Sequence, residues 1–150
     1  MKYHLCINAD KKNLKKARVF LEKILEEWQV KPIDANQLVL VLDEVLANLI
    51  IHSLKETIQK NIDIFVLIQE DYLILDIYDY NAPYFDITNH QDIALETLKQ
   101  QKRKGGMGLT LVKNIMDLVE VCREENNNVW HLEKRFPHFL LLKNSSEKNK

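Results

Sequence analysis

The sequence predicts an α+β fold, a two-layer sandwich in which a mixed, mainly antiparallel β-sheet is covered on one face by helices. Two observations lead to this prediction. The predicted elements follow the order β-α-α-β-β-loop-α-β-β, which places the helices together on one face of the sheet. Two pairs of β-rich segments are each separated by a short polar stretch, as in antiparallel hairpins. With 150 residues, the chain is expected to form a single domain.

The first elements are a strand and a helix. Residues 3–8 are predicted to form the strand, and Asp10 is predicted to cap the helix that follows it. The apolar residues of this helix recur at helical spacing, so that its apolar face should pack on the sheet. These residues are Leu14, Ala17, Leu21, Ile24, Leu25 and Trp28.

A second helix is predicted over about residues 35–55. The pair Lys31-Pro32 interrupts the preceding pattern, and Asp34 with Gln37 has the spacing of a capping box.

The remaining strands are predicted to form two hairpins, with turns at residues 70–71 and 126–128. The first hairpin pairs residues 62–69 with 72–79, and the second pairs residues 118–123 with 129–136. Between the hairpins, a third helix that runs into the strand after it is marked by the apolar residues Leu109, Val112, Ile115, Met116 and Val119.

A long polar segment, residues 81–106, separates the first hairpin from the third helix, and a short helix is predicted within it at residues 93–100. Loops of this length in compact domains are usually functional, and residues 86–104 are therefore interpreted as a lid. The polar tail, residues 144–150, is expected to be frayed.

The composition is that of an ordinary soluble globular protein, with 46% hydrophobic residues, 29% charged residues and a net charge of -1. Bulk charge gives no support to direct nucleic-acid binding. No apolar stretch approaches the roughly 18 residues of a membrane span, and the N-terminus lacks an apolar signal region, so a cytoplasmic protein is expected. Cys6 and Cys122 form no metal-type or disulfide-type pattern and are interpreted as reduced packing residues.

The most informative segment is LVLVLDEVLANLIIHS, residues 38–53. In this largely apolar helix, Glu44, Asn48 and His52 recur four residues apart and therefore lie on one face. Polar groups buried there without partners would cost about 1–3 kcal/mol each, so they should meet water, a ligand, a metal or each other. The alternative is a solvent-facing edge of an otherwise buried helix.

Two further segments could bind a ligand. The only three glycines of the chain, Gly105, Gly106 and Gly108, stand directly before the third helix, where backbone N–H groups and the helix dipole suit phosphate. The alternative is a tight turn without a ligand. Asp79 ends a predicted strand in DIYDYNAPYFD, residues 76–86, and taken alone it could be only a turn former.

The three segments together resemble the N, G1 and G2 boxes of GHKL (Bergerat-fold) ATPases. VLDEVLANLIIHS, residues 41–53, is similar to the N box of the anti-sigma factor serine/threonine kinases of this family. GGMGLTLVKNIMDLVEV, residues 105–121, closely resembles their G2 box, and NVWHLEKRF, residues 128–136, looks like their final strand. The resemblance covers most of the chain.

This resemblance implies a binding site for ATP and Mg²⁺. Asn48 would bind Mg²⁺, Glu44 would be the catalytic base, and Asp79 would accept a hydrogen bond from the adenine amino group. The role of His52 is open between structure and catalysis.

The glycine-rich segment would wrap the phosphates. Arg103 could add positive charge there, although either it or Lys104 could equally be a solvated lid residue, which is the preferred interpretation for Lys104. The segment consists of Gly105, Gly106, Met107, Gly108 and Leu109.

The G1 box departs from the family pattern. Asn81 stands where the family has glycine, and Tyr84 is an extra residue before Phe85-Asp86. Since Asn tolerates left-handed backbone geometry, the turn is expected to form, but adenine binding could be weakened.

Two functions remain open. By resemblance, the chain would be a protein kinase that transfers the γ-phosphoryl group of ATP to a serine or threonine of a STAS-type antagonist, that also binds a sigma factor and that forms a homodimer. Alternatively, it would be a partner-sequestering module without catalysis. Glu44 argues for the kinase, and Asn81 argues for the module. ATP hydrolysis is a third, less favoured outcome.

Overall fold

A computed structural model describes residues 1–53, 60–89, 107–139 and 142 of the chain. Short 3-10 turns precede the first helix at Lys11–Asn13 and follow the third strand at Ile87–Asn89. The predicted order of elements is confirmed. The elements are strand β1 (Lys2–Asn8), helices α1 (Leu14–Glu27) and α2 (Pro32–Ser53), strands β2 (Asn61–Gln69) and β3 (Tyr72–Asp79), helix α3 (Met107–Ile115), and strands β4 (Leu118–Glu124) and β5 (Asn127–Arg135).

The described strands form one five-stranded sheet in the order β1-β2-β3-β5-β4. Every neighbouring pair is antiparallel, so the sheet described here is simpler than the mixed sheet that was predicted. Alternate residues of β2 are buried against the helices, which is the pattern of a sheet covered on one face. These residues are Ile62, Ile64, Val66 and Ile68. The predicted α+β class is thus confirmed.

The first hairpin has its turn at the predicted position, where Glu70 adopts a φ of 56°. The second turn was predicted wrongly. It lies at Glu125-Asn126, with Glu125 at a φ of 52°, and both Asn127 and Asn128 belong to β5. A tight two-residue connection matches the twist of paired strands, and it lets the pairing of β4 with β5 continue to Asn127.

Helix α1 follows a 3-10 turn that Asp10 caps, since its carboxylate accepts a hydrogen bond from the Lys12 N–H at 3.1 Å. Helix α2 begins at Pro32, three residues earlier than predicted. Proline suits the first helical position because its φ is already helical and it has no N–H to leave unsatisfied. Asp34 therefore lies within the first turn of α2, and the predicted capping box of Asp34 and Gln37 is wrong.

The core lies between the helices and the sheet, and α2 contributes the largest part of it. The buried side chains of α2 are Leu38, Val41, Leu42, Val45, Leu46, Leu49 and Ile50. Among the described residues, no helix is both long enough and apolar enough to cross a membrane. The predicted helix at 93–100, the lid beyond residue 89 and the tail at 144–150 lie outside the described residues.

Both cysteines are free and exposed, so their prediction as packing residues is wrong. Ile7 pairs with Ile62 on the helix-covered face, and Cys6 therefore points to the opposite face. Cys122 lies on the same open face, at the other edge of the sheet. Alternation places a residue on one face or the other, but only the position of the helices decides which face is buried.

Candidate nucleotide-binding site

A cavity of about 90 Å³ lies between α2, the end of β3 and the start of β5. Its walls are largely apolar, with a few polar groups that converge on it, as is common in small-molecule sites. It is lined by Asn48, Leu49, Asp79, Ala82, Pro83, Tyr84, Phe85, Asn128 and Trp130. The cavity therefore brings together Asn48 of the predicted helical stripe and Asp79 of the predicted strand end.

Asn48 presents a buried amide to this region. Its Nδ2 atom is buried and has no hydrogen-bond partner among the residues that the structure describes. An unsatisfied buried donor costs about 1–3 kcal/mol, and sites of this kind commonly receive a water or a ligand. This observation favours a ligand-facing interpretation of the polar stripe over a merely solvent-facing edge.

Glu44 lies one helical turn before Asn48 and contacts the first turn of α3. A Cβ atom placed on Gly108 would lie 2.8 Å from the Glu44 Cδ atom and 3.1 Å from its Cβ atom. A side chain at position 108 would therefore displace the Glu44 carboxylate from this arrangement. Burial, and to a lesser extent the neighbouring Asp43 carboxylate, raise the pKa of Glu44. A carboxylate with a raised pKa accepts a proton more readily, which suits a general base.

Asp79 ends β3 between two strands, where it pairs with Ile62 of β2 and with Asn128 of β5. Its Oδ1 atom lies 3.9 Å from the Lys60 Nζ atom, and both side chains are nearly buried. The sequence analysis missed Lys60, because a single lysine before a strand is usually a solvated residue. The pairing of β2 with β3 brings it to Asp79.

Asn81 adopts the left-handed backbone geometry that was expected where the family has glycine, with a φ of 49°. Its N–H donates a hydrogen bond to the Asn127 Oδ1 atom at 2.9 Å. The turn after Asp79 is therefore formed despite the departure from glycine.

The loop after Asn81 is fastened to the β4–β5 hairpin. The Asn128 Nδ2 group donates to the Pro83 carbonyl at 2.8 Å, and the Arg123 guanidinium donates to the Ala82 carbonyl at 2.6 Å. The extra residue Tyr84 is 62% exposed, although it contributes to the cavity wall. One wall of the cavity is thus held in place by hydrogen bonds.

The remaining predicted site residues belong to the glycine-rich segment. Gly108 and Leu109 lie in the first turn of α3, and Leu109 is buried. Met107 is the first residue of that helix. Arg103, Gly105 and Gly106 lie outside the described residues, and the His52 side chain also lies outside them.

The side chains present fit a magnesium ion. Across residues 1–53, 60–89, 107–139 and 142, no three His, Cys, Asp or Glu side chains cluster as metal ligands. Mg²⁺ commonly takes few protein ligands together with phosphate oxygens and water, and the ligands it prefers are oxygens. The Asn48 amide and the Glu44 carboxylate offer such oxygens four residues apart on α2.

The chain belongs to the histidine kinase-like ATPase domain family, whose family model matches residues 7–134. Among curated proteins, it is similar to the anti-sigma F factors of Bacillus thuringiensis (strain Al Hakam) and Bacillus anthracis (strain CDC 684 / NRRL 3495). It is 27% identical to each over 132 residues, which are 87% of this chain and 90% of theirs. The branch of the family that the sequence motifs resemble is thereby confirmed.

Two crystal structures share the fold. The RsbU and RsbW domains of Rv1364c from Mycobacterium tuberculosis superpose with a TM-score of 0.65 at 13% identity, over 90% of this chain and 32% of that chain. The SiaB-SiaC complex from Pseudomonas aeruginosa superposes with a TM-score of 0.60 at 15% identity, over 87% of this chain and 88% of that chain. At these identities, the likeness shows the fold alone.

Proposed function

We propose that this protein is an ATP-dependent serine/threonine protein kinase that regulates transcription by partner switching. In this proposal, it transfers the γ-phosphoryl group of ATP to a serine or threonine of a STAS-type antagonist, and it also binds a sigma factor. The observation that carries the proposal is the buried Asn48 Nδ2 atom, which no described residue pairs with, at an apolar cavity one turn from Glu44. The similarity to proteins named anti-sigma F factors supports the choice of partners.

The residues of the cavity would hold the nucleotide at both of its ends. Asp79 would accept a hydrogen bond from the amino group of adenine, and the apolar walls would cover the base. Asn48 would hold Mg²⁺, which neutralises the phosphate charge when it is bound. Asn81 would shape the turn beside the base, because its backbone N–H is already fixed by Asn127.

The start of α3 would bind the phosphates. Gly108 and Leu109 lie in its first turn, where backbone N–H groups without helical partners suit an anion. The preceding residues would complete the phosphate-binding segment, with Arg103 adding positive charge. These preceding residues are Gly105, Gly106 and Met107.

Glu44 would act as the general base. Phosphoryl transfer depends chiefly on positioning and charge neutralisation, so one base near the attacking hydroxyl is sufficient. Glu44 would take the proton of the substrate hydroxyl as its oxygen bonds to the γ-phosphorus and ADP leaves. The raised pKa of Glu44 supports this assignment, since the carboxylate holds the proton that it receives more firmly.

The direct partners would be the sigma factor and the STAS-type antagonist, and the protein would act as a cytoplasmic homodimer formed from one ATPase-like domain per chain. A second function is a binding module that sequesters a partner without catalysis. The observation that favours it is the Lys60–Asp79 ion pair, because the adenine of a bound nucleotide would have to share the Asp79 carboxylate with this lysine.

The test is incubation of the protein with labelled ATP, Mg²⁺ and a STAS protein encoded near it. Glu44→Gln keeps the shape of the side chain but cannot take up the proton, so phosphate transfer should fall by about 10²–10⁴-fold while nucleotide binding persists. Asn48→Ala should weaken Mg-ATP binding and transfer together. Equal transfer by wild type and Glu44→Gln would remove Glu44 as the base. Binding of a sigma factor without any phosphate transfer would favour the second function.

A further inference from the structure

We propose that Trp130 is a nucleotide-binding residue, whose indole N–H donates a hydrogen bond to a ring nitrogen of the base in the cavity. The inference rests on the proposed function, since it adds a residue to the same site. It is independent of phosphate transfer and applies equally if the protein only binds the nucleotide.

The first observation is an unpartnered donor. Trp130 is 1% exposed and lines the cavity, and its buried Nε1 atom has no hydrogen-bond partner within residues 1–53, 60–89, 107–139 and 142. Buried tryptophan N–H groups usually find an acceptor. The other tryptophan follows this rule, because the Trp28 Nε1 group donates to the Tyr3 hydroxyl at 3.0 Å. The unsatisfied indole is the one that lines the cavity.

The second observation is the position of Trp130 relative to Asp79. Asp79 pairs with Asn128 across β3 and β5, and Trp130 follows two residues later on the same face of β5. Such diagonal neighbours have Cβ atoms about 7–8 Å apart, which is within reach of an aromatic side chain. Both residues line the same cavity. One flat ligand can therefore meet the Asp79 carboxylate and the Trp130 indole together.

The third observation is that the nearby polar side chain of Asn128 already has hydrogen-bond partners. The Asn128 Oδ1 atom accepts from Arg123 at 3.1 Å, and its Nδ2 group donates to Pro83. The indole plane is also fixed, because the Phe85 ring stacks on Trp130 with centroids 5.3 Å apart and an interplanar angle of 26°. The acceptor for the indole must therefore come from outside this group of side chains.

These groups favour one kind of nucleobase over another. The cavity offers the Asp79 carboxylate as an acceptor and the Trp130 N–H as a donor. Adenine is complementary to this pair, since its amino group is flanked by ring nitrogens that accept hydrogen bonds. A 6-oxopurine presents a carbonyl at the position of that amino group and would bring an acceptor towards the carboxylate. Trp130 would thus contribute to the preference for adenine.

The experiment is calorimetry of ADP binding with Mg²⁺ to wild type, Trp130→Phe and the matched control Trp28→Phe. Phenylalanine keeps an aromatic ring but removes the N–H, so ADP affinity should fall about 5- to 100-fold in Trp130→Phe. Trp28→Phe should bind as wild type does. The 1-, 3- and 7-deaza analogues of ADP identify the acceptor, because Trp130→Phe should lose no further affinity for the analogue that lacks it.

A second measurement requires no change at position 130. In protein labelled with ¹⁵N at the indoles, the Trp130 N–H resonance should shift downfield on saturation with ADP, and Trp28→Phe assigns the two signals. Unchanged affinity in Trp130→Phe, or an unmoved Trp130 signal at saturation, would overturn the inference and leave the proposed function intact. No binding of ADP or ATP by wild type would overturn both.

Discussion

Replacing Gly108 by alanine tests whether α3 positions the Glu44 carboxylate. The added methyl group would lie 2.8 Å from the Glu44 Cδ atom and 3.1 Å from its Cβ atom, closer than ordinary contact between carbon atoms. The carboxylate end of Glu44 can rotate away, whereas its Cβ atom is fixed to the backbone of α2. We therefore expect Gly108→Ala to displace the carboxylate and to move α3 by a fraction of an ångström.

The effect on stability should be small compared with the effect on function. Alanine is favoured over glycine within a helix by about 0.5–1 kcal/mol. Overpacking by one methyl group typically costs about 1–3 kcal/mol, and the rotation of a half-buried side chain keeps this cost low. The free energy of unfolding should thus fall by about 0–2.5 kcal/mol. Displacement of a general base should slow phosphate transfer by about 10²–10⁴-fold.

Urea unfolding and transfer of labelled phosphate should be measured on Gly108→Ala, Glu44→Gln and the double variant. If Gly108 acts through Glu44, the double variant should be no slower than Glu44→Gln, because the two changes remove the same interaction. Asn114→Ala is the matched control, since this exposed residue of α3 donates to the Thr110 carbonyl at 2.7 Å. If Gly108→Ala transfers phosphate at the wild-type rate, or if the losses of rate in the two single variants multiply in the double variant, Gly108 does not act through Glu44.

Three further predictions concern stability. Because the folded pKa of Glu44 lies above its ordinary value of 4.5, stability falls as pH rises from 4.5 through that pKa. Glu44→Gln should therefore raise the melting temperature by about 1–3 °C at pH 7 and have less effect at pH 4. Burial alone would lower the pKa of His131, but hydrogen bonds that its ring donates to the carboxylates of Asp76 at 2.5 Å and Glu133 at 3.1 Å outweigh it and raise that pKa above 6.5. The stability that these partners contribute is fully present below pH 6.5 and is lost as pH rises through the raised pKa. In urea unfolding, His131→Gln should therefore lower the free energy of unfolding by about 0.5–1 kcal/mol at pH 6 and by less at pH 9. Asn81 has a left-handed backbone, so Asn81→Ala should lower the free energy of unfolding in urea by about 1 kcal/mol, whereas Asn81→Gly should stay near wild type. Equal losses in the two variants would argue against backbone geometry as the cause.

The predicted elements were correct where one local pattern dominates. The apolar residues of β2 and β3 and the short turn at Glu70 are compatible with only one hairpin, and the structure contains it. The second turn was misplaced because Asn126, Asn127 and Asn128 are each good turn formers, so local preference could not select among them. The pairing of Asn128 with Asp79 in the sheet decides the register, and that pairing joins residues far apart in sequence.

The polar residues of the site could be found in the sequence because Glu44 and Asn48 interrupt an otherwise apolar helix. Trp130 could not be found in the same way, since an aromatic residue in a β-rich segment is expected in the core. Its proposed role rests on the cavity and on an N–H group that has no partner in the described part of the chain, and only the packing of β5 against its neighbours reveals both. The contact of Glu44 with Gly108 likewise depends on how α2 meets α3.

Helix α2 contributes to both the core and the candidate site, and the residues of the two are interleaved along it. A change in the position of one therefore changes the position of the other. Val45 and Leu49 are buried in the core, and they directly follow Glu44 and Asn48 in the chain. A core substitution that rotates or shifts α2 must also move the carboxylate at α3 and the amide at the cavity. Binding of a nucleotide that satisfies the Asn48 amide would in turn stabilise the folded protein against unfolding, by about 2.7 kcal/mol at a ligand concentration of 100 times Kd. The positions of the core and of the site are therefore coupled through one rigid helix, and we expect nucleotide binding to alter the stability of the whole helical layer.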